Sequence, residues 1–397
     1  MLQAGYGIFF ARFQGGTIDN LFTTGNGKVQ TSVSLSNTQA PQLAAGPVFP
    51  NRLAAIPTGG SVSAASIQML APDLKTPYSE QGNIAIQRQL MTDTALTVSY
   101  IWSRGVQLYG VRDLNMPTAT TNYTYTINDA SGSAVGSYTT PVLIGSRPDT
   151  RYGTVAYAEN GVNSYYNGLA IELNKRFSHG FQAFAAYTWS HEIDDGQSYG
   201  ESTNNLWLNG ATYWLNNGDY KGDKGSGTLD QRHRFTLSWV WAPTFTTRSG
   251  AFFKYVVNNW QLSSITTMAS GHPYGSTQVY LNDKPVTGMF GYSMNGTGFS
   301  YRVPWLPVNN YVLPPSYRSD ARLSKVLPFG ERYKLYLNFE MFNIANTWSA
   351  TGFTNSRMYN ETKGVLNPAA LYIPSADYGS PDGTQARRMQ ISARFTF

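Results

Sequence analysis

The chain of 397 residues carries 29 Lys and Arg against 23 Asp and Glu, a net charge of +6, yet charged residues are only 13% of it and aromatic residues reach 14%. With no cysteine, a disulfide scaffold and any Cys-ligated zinc or iron–sulfur site are excluded, and no run of Lys or Arg exceeds two residues, which argues against a nucleic-acid partner. Mean hydropathy is −0.31 and no stretch of about 18 apolar residues offers a transmembrane helix, so a β-barrel is the membrane-crossing form left open.

The opening stretch MLQAGYGIFFARF has neither a charged leader nor a small-residue cleavage site and reads as a strand; the expectation is that the chain starts inside a larger protein. Period-two alternation in segments of about ten residues, the length of a tilted membrane strand, then dominates. Leu96, Val98, Tyr100 and Trp102 share one face, with Thr97 and Ser99 opposite. Leu169, Ile171, Leu173 and Phe177 oppose Glu172, Asn174 and Arg176. Phe235, Leu237, Trp239 and Trp241 oppose Arg234, Thr236 and Ser238. Leu335, Leu337, Phe339 and Met341 oppose Tyr336, Asn338 and Glu340, and Met389, Ile391, Ala393, Phe395 and Phe397 align in the last segment.

Strands are predicted near 3–12, 81–91, 94–104, 164–177, 180–191, 230–242, 255–269, 317–327, 332–345 and 387–397. A bulge is expected in Trp260–Met268, where Leu262 and Ile265 fall on opposite faces. Connections alternate. Thr92–Asp93, Ser178–Gly180, Pro243–Lys254 and Pro328–Gly330 are short; 13–80, 105–163, 192–229, 270–316 and 346–386 are long. Short periplasmic turns and long extracellular loops are the pattern of outer-membrane barrels. Apolar residues must then face lipid, while Lys175 and Lys325, on the apolar parity near turns, are expected to snorkel to headgroups. Trp239 and Trp241 sit where an aromatic girdle belongs.

The sequence resembles the C-terminal barrel portion of TonB-dependent outer-membrane receptors, most closely the OmpA-related (Oar-like) subgroup. The resemblance rests on an ordered series: TPYSEQGNIAIQRQL at Thr76–Leu90, YIWSRG at Tyr100–Gly105 with Asn115 and Pro117 after it, SYYNGL at Ser164–Leu169, NKRFSHG at Asn174–Gly180 and YTWSHEIDD at Tyr187–Asp195. DQRHRF at Asp230–Phe235, WQLSSITTMASGHPY at Trp260–Tyr274, SDARLSK at Ser319–Lys325, EMFNIAN at Glu340–Asn346 and the final ARFTF complete it. It implies an all-β, transmembrane antiparallel barrel in which these are about ten C-terminal strands of roughly 22. The plug, the TonB box and the N-terminal strands would lie outside residues 1–397, which form a partial barrel domain. It implies that Asp320, Arg322 and Glu340 face the lumen, that Phe395 and Phe397 belong to a signal read by the barrel-assembly machinery, and that the TonB complex acts through the plug on an unknown solute.

Candidate chemistry follows from the alternation. Glu172, Arg176, Arg234, Asp320, Arg322 and Glu340 form a charged inward set, either guiding solute and plug or pairing with one another. Trp207, Tyr213, Trp214, Tyr220, Tyr292 and Trp305 are loop aromatics suited to stacking on sugars or peptides. The G-x-S-x-G pattern at Gly196–Gly200 lacks the strand-to-helix context of a nucleophile elbow and reads as loop. His191 with Glu192, Asp194 and Asp195, or Asn128–Asp129, invites metal only weakly. No enzyme activity, cofactor or metal is expected. The reading is uptake of a solute such as an oligosaccharide, peptide or siderophore across the outer membrane, with outer-membrane lipid as surroundings. A passive porin-like channel and a surface adhesion or structural protein are the alternatives.

Overall fold

The computed structural model describes residues 1–12, 22, 33–34, 61–62, 65–196, 220–275, 277–292, 294, 300–330, 332–353, 357–369, 374–375 and 386–397. Ten strands build one wall: β1 Leu2–Phe10, β2 Tyr78–Met91, β3 Thr94–Asp113, β4 Tyr152–Ser178, β5 Phe181–Asp194, β6 His233–Trp241, β7 Trp260–Ala269, β8 Ser316–Phe329, β9 Tyr333–Phe342 and β10 Arg388–Thr396. Each pairs antiparallel with its neighbour in sequence order, β1 through β10. Among the described residues β1 and β10 are bonded on one side only and not to each other.

Register turns the local alternation into a property of the whole wall. Residues directly opposite in an antiparallel ladder share a face. One transverse row reads Leu2, Ile86, Val98, Ile171, Tyr187, Phe235, Met268, Tyr317 across eight strands. Leu323, Phe339 and Ile391 continue that face through the last three. The adjacent row on the other face reads Gln87, Thr97, Glu172, Ala186, Thr236, Thr267, Arg318. A slip of one residue would exchange the two sets.

Among the described residues, no second layer covers the membrane-length part of the apolar face. Ile391 is 82% exposed and Leu337, Phe339, Ile86 and Trp241 are also exposed, while both clusters of buried apolar side chains lie outside the membrane-length part of the wall. Along β5, from Trp189 to Phe181, eight steps of about 3.3 Å give roughly 26 Å, close to the ~25 Å apolar band of an outer-membrane barrel.

Three expectations are corrected. β7 has no bulge: its ladders to β6 and β8 run unbroken, so Ile265 stands on the polar face, 58% exposed. Neighbours on both sides fix the register, and one misplaced apolar residue does not shift it. The Lys175 ammonium is met by protein groups: its Nζ donates to the Asp93 carboxylate in the β2–β3 turn and to Ser178 Oγ at the end of β4. Lys325 is buried, donating to the carbonyls of Val256 (3.1 Å) and Asn258 and lying 4.6 Å from the Trp260 ring centroid.

β3 and β4 outrun the membrane. The 27 residues of β4, at roughly 3.3 Å each, extend about 90 Å, although about ten suffice to cross. The ladder breaks between Gly105 and Tyr109, where Gln107 has φ 58, and resumes to pair Asp113 with Ala156. A bulge of this kind separates the spanning ladder from its continuation.

Candidate functional site

Two regions carry the groups able to meet a solute: the polar face of the wall and the structured loops at its long-loop end. On the polar face, Arg322 and Glu340 stand directly opposite on β8 and β9, and Arg322 Nε donates to Glu340 Oε1 at 2.6 Å. Asp320, two residues earlier, accepts from Arg318 Nε at 3.2 Å and from the Asn343 backbone N–H at 2.8 Å. Of the six predicted inward charges, only Arg322 and Glu340 pair with each other. Arg176 donates to the carbonyl of Thr92 and Arg234 to Gln231 Oε1. Glu172 is exposed on the polar face. Below the Arg322–Glu340 pair, Ser324 Oγ donates to Asn338 Oδ1 (2.8 Å) and Asn338 Nδ2 to Ser392 Oγ (3.2 Å). This rung across three strands is the kind of wall water can wet.

An open cavity of about 390 Å³ lies on this face between Gln182, Phe184, Val240, Ile265 and the Asp320–Arg322–Glu340 group. Its floor is apolar and one side is charged. Arg318 was not among the predicted residues, although its parity with Asp320 in the segment Ser316–Asp320 was readable.

Strand ends are fixed by side chains that bond main chain. Buried Asp230 accepts the Glu192 N–H on Oδ1 (2.9 Å), and its Oδ2 lies 3.1 Å from His191 Nδ1. His191 therefore joins β5 to the segment before β6; Glu192, Asp194 and Asp195 do not gather around it, and Asp195 Oδ1 accepts the Asn163 N–H. Asn343, at φ 51 just after β9, bonds Thr347 through both ends of its amide. Asn115 donates to the carbonyls of Asp149, Tyr152 and Gly153, and Asp113 accepts from Arg147 at 2.7 Å. At the β2–β3 turn, hydrogen bonds from Lys175, then Ser178 and Thr94, hold the Asp93 carboxyl well below the usual carboxylate range.

The loops form a second sheet. Its order is Ser300–Arg302, Gln278–Tyr280, Arg357–Thr362, Val365–Pro368, Thr120–Asn128, Ala134–Leu143. Segments from three connections, β3–β4, β7–β8 and β9–β10, thus pair with one another, partly in parallel. Their cluster is Tyr125, Val279, Leu281, Met294, Val303 and Leu366, with Tyr292, Trp305 and Tyr359 against it. Glu361 is fully buried, yet its carboxylate accepts three backbone N–H groups: Asn282 (3.0 Å), Asp283 (2.9 Å) and Gly364 (2.6 Å). That carboxylate ties the β7–β8 connection to the β9–β10 connection.

The fourth long connection enters through Tyr220–Asp223. Arg302 donates to Gly222 O (2.8 Å) and Asp223 Oδ1 (3.1 Å). The Tyr220 ring is buried against Gly110 and Gly161, where a Cβ on either glycine would overlap it, and its hydroxyl donates to Glu159 at 3.2 Å. Burial, with Glu159 alongside, raises the Tyr220 hydroxyl above its ordinary pKa. Of the predicted loop aromatics, Tyr220 is thus a packing wedge, and Tyr292 and Trp305 lean on the loop core. The Trp305 ring lies tilted against Tyr138, centroids 4.9 Å apart. Trp207, Tyr213 and Trp214 lie outside the described residues, as does Ser198 of the G-x-S-x-G pattern. Glu361 was missed because nothing local marks an acid whose partners are backbone groups of another loop. Phe395 and Phe397 stay exposed on the apolar side at the short-turn end, their rings 6.5 Å apart.

A meander of antiparallel strands with one apolar and one polar face, short turns at one end and structured loops at the other, defines an outer-membrane β-barrel wall. The outer membrane beta barrel domain family matches residues 1–390, and the chain belongs to it. Its place is the outer membrane of Gram-negative-type cells. No curated protein matches the sequence significantly. Among solved structures it is similar to the outer membrane transporter YddB from Escherichia coli, with TM-score 0.42 and 10% identity over 85% of this chain and 35% of that one. It is also similar to the ferripyoverdine receptor of the outer membrane of Pseudomonas aeruginosa bound to ferripyoverdine, with TM-score 0.35 and 10% identity over 81% and 27%. The chain spans about a third of the length of the first of these structures and about a quarter of the second.

Proposed function

We propose that the chain forms part of the wall and the extracellular cap of a TonB-dependent transporter of the Oar-like subgroup, with solute passing along the polar face. The observation that carries this reading is the wall itself, with an apolar face open to lipid and a polar face that holds fixed, cross-strand charges such as Arg322–Glu340. β1 and β10 each present an edge without a partner among the described residues. Each unpaired backbone group costs several kcal/mol in hydrocarbon. Further strands therefore close the wall in this reading, and a plug within them couples to the TonB complex. Phe395 and Phe397 present the apolar parity that barrel-assembly machinery would read, and the chain does no covalent chemistry.

The paired loops favour a gated receptor over a passive pore. A porin needs an open mouth, whereas here segments of three connections join in one sheet with a closed core. Planar-bilayer recording on the whole protein tests this. A plugged transporter shows no steady current, and its uptake stops when the proton gradient is collapsed. Steady ohmic conductance would support the passive channel instead. If deleting residues 192–229 abolished surface attachment but left uptake untouched, the adhesion reading would replace both.

A further inference from the structure

The connection between β6 and β7 is the longest of the turns at the short-turn end, and it is built rather than loose. Asn258 Oδ1 accepts the N–H groups of Phe245 (3.0 Å) and Thr246 (3.2 Å), while its Nδ2 donates to Thr246 O (2.7 Å). Within it Phe253–Val257 forms a wide helical turn, closed by the Asn258 N–H donating to Phe253 O at 2.9 Å.

That turn hangs on the lipid side of the wall. Trp260 Nε1 donates to Val256 O at 2.8 Å, Lys325 reaches the same carbonyl, and the Tyr255 hydroxyl donates to Pro328 O at 3.1 Å. Tyr255 also lies against Phe329, centroids 6.2 Å apart. Trp260, Lys325 and Phe329 all share the apolar parity of β7 and β8. The exposed side chains continue that face downward: Trp241, then Phe245, then Phe252 at 64% and Val256 at 53% exposure. In a helical turn residues four apart lie close together and residues two apart lie on opposite sides, so Lys254 points away from Phe252 and Val256. Arg248 and Lys254 are both exposed, and residues 242–259 contain no carboxylate side chain.

We propose that residues 242–259 form an interfacial foot that lies in the periplasmic leaflet of the outer membrane and binds anionic phospholipid. Phe252 and Val256 enter the acyl boundary, where an amphipathic helical element gains most from burial. Arg248 and Lys254 meet lipid phosphates, each cation being attracted to a surface of opposite charge. Two features argue for lipid over a periplasmic protein: continuity with the wall's own lipid-facing surface, and a cationic rim without acids.

The test uses the absence of cysteine in the chain. Phe252→Cys, Val256→Cys, Arg248→Cys and, as a control in the loop sheet, Ala130→Cys are labelled with bimane. The protein is placed in vesicles of phosphatidylethanolamine with a minority of phosphatidylglycerol. Lipids brominated just below the headgroup should quench strongly at positions 252 and 256 and weakly at 248 and 130. Aqueous iodide should do the reverse. Reversing charge with Arg248→Glu and Lys254→Glu should reduce bromolipid quenching at Val256→Cys only when phosphatidylglycerol is present. The proposal is overturned if iodide quenches positions 252 and 256 as strongly as position 130. It is overturned too if charge reversal has the same effect with and without phosphatidylglycerol. Far-UV circular dichroism of each variant confirms that the wall has formed.

Discussion

The wall and the loop sheet are both antiparallel-rich β-structure from one chain, yet they dispose of apolar side chains in opposite ways. In the wall Ile391 and Phe397 are more than four-fifths exposed. In the loop sheet Tyr125, Leu281, Val303 and Leu366 are wholly buried. Hydrocarbon makes the difference. It is as apolar as a leucine side chain, so the wall needs no partner layer, whereas the loops stand in water and must build a core from distant segments. The polar groups differ as well. The wall's cross-strand pair Arg322–Glu340 stands on its wet face and Lys325, on the apolar parity, is covered and bonded to carbonyls, while the loop sheet takes one carboxylate, Glu361, fully inside and satisfies it with three backbone N–H groups.

The largest effect should come from Glu361→Ala. Three backbone donors, Gly364 buried and Asn282 and Asp283 partly so, lose their acceptor together, at up to about 1–3 kcal/mol each, enough to unlatch the loop sheet. Hydrogen exchange should accelerate across 278–283 and 357–368 while β5 and β9 keep their protection. Loss of wall protection would show that the two regions are not separable. Phe339→Arg comes next, at roughly 2–4 kcal/mol for a cation facing mid-bilayer. Gln390→Arg, on the polar face of the neighbouring strand, should stay within about 0.5 kcal/mol. Denaturant unfolding of both variants in vesicles measures that asymmetry, and equal costs would break it.

A smaller effect is expected for the Arg322–Glu340 pair. Arg322 is half exposed, so a double-mutant cycle with Arg322→Ala and Glu340→Ala should give about 0.5–1 kcal/mol, far below the Glu361 loss. The smallest concerns pH. Asp93 has a folded-state pKa depressed by its hydrogen bonds from Lys175 and Ser178. Its stabilising effect is complete above the ordinary carboxylate value of about 3.9. That effect fades only as pH falls through the lower folded value. Protection of the Arg176 amide, which donates to Asp93 O at 2.8 Å, should therefore be unchanged from neutral pH down to the ordinary carboxylate value. Loss of protection at mildly acidic pH would mean the turn is held otherwise.

How much was legible follows the same division. The ten strands were readable because hydrocarbon on one side and water on the other write a period of two into each segment, as in Leu335–Met341. Ile265 misled because its neighbours' register, not its own hydropathy, decides which way it faces. The continuations of β3 and β4 beyond Gly105 and before Ser164 read as loop, since what covers them, Tyr220 against Gly110 and Gly161 and Leu70 against Val111 and Ala158, comes from distant segments and writes no alternation into the local sequence. The loop sheet was invisible: its pairings, such as Val365 with Thr126, join segments far apart in sequence, and its anchor, Glu361, looks like any surface acid. Of the candidate site, the inward parity of Arg322 and Glu340 was readable, but the pairing of Asp320 with Arg318 and the inward packing of Tyr220 depend on neighbours brought together only by folding.

The central claim is that alternate side chains of each wall strand meet lipid and water. Nitroxide labels placed singly at every position of β9, from Tyr333 to Phe342, in vesicle-embedded protein measure it directly. Oxygen should reach labels at 335, 337, 339 and 341 preferentially, and a water-soluble nickel chelate should reach those at 336, 338 and 340. Accessibility that changes smoothly along the strand, or that is aqueous at all ten positions, would contradict the account.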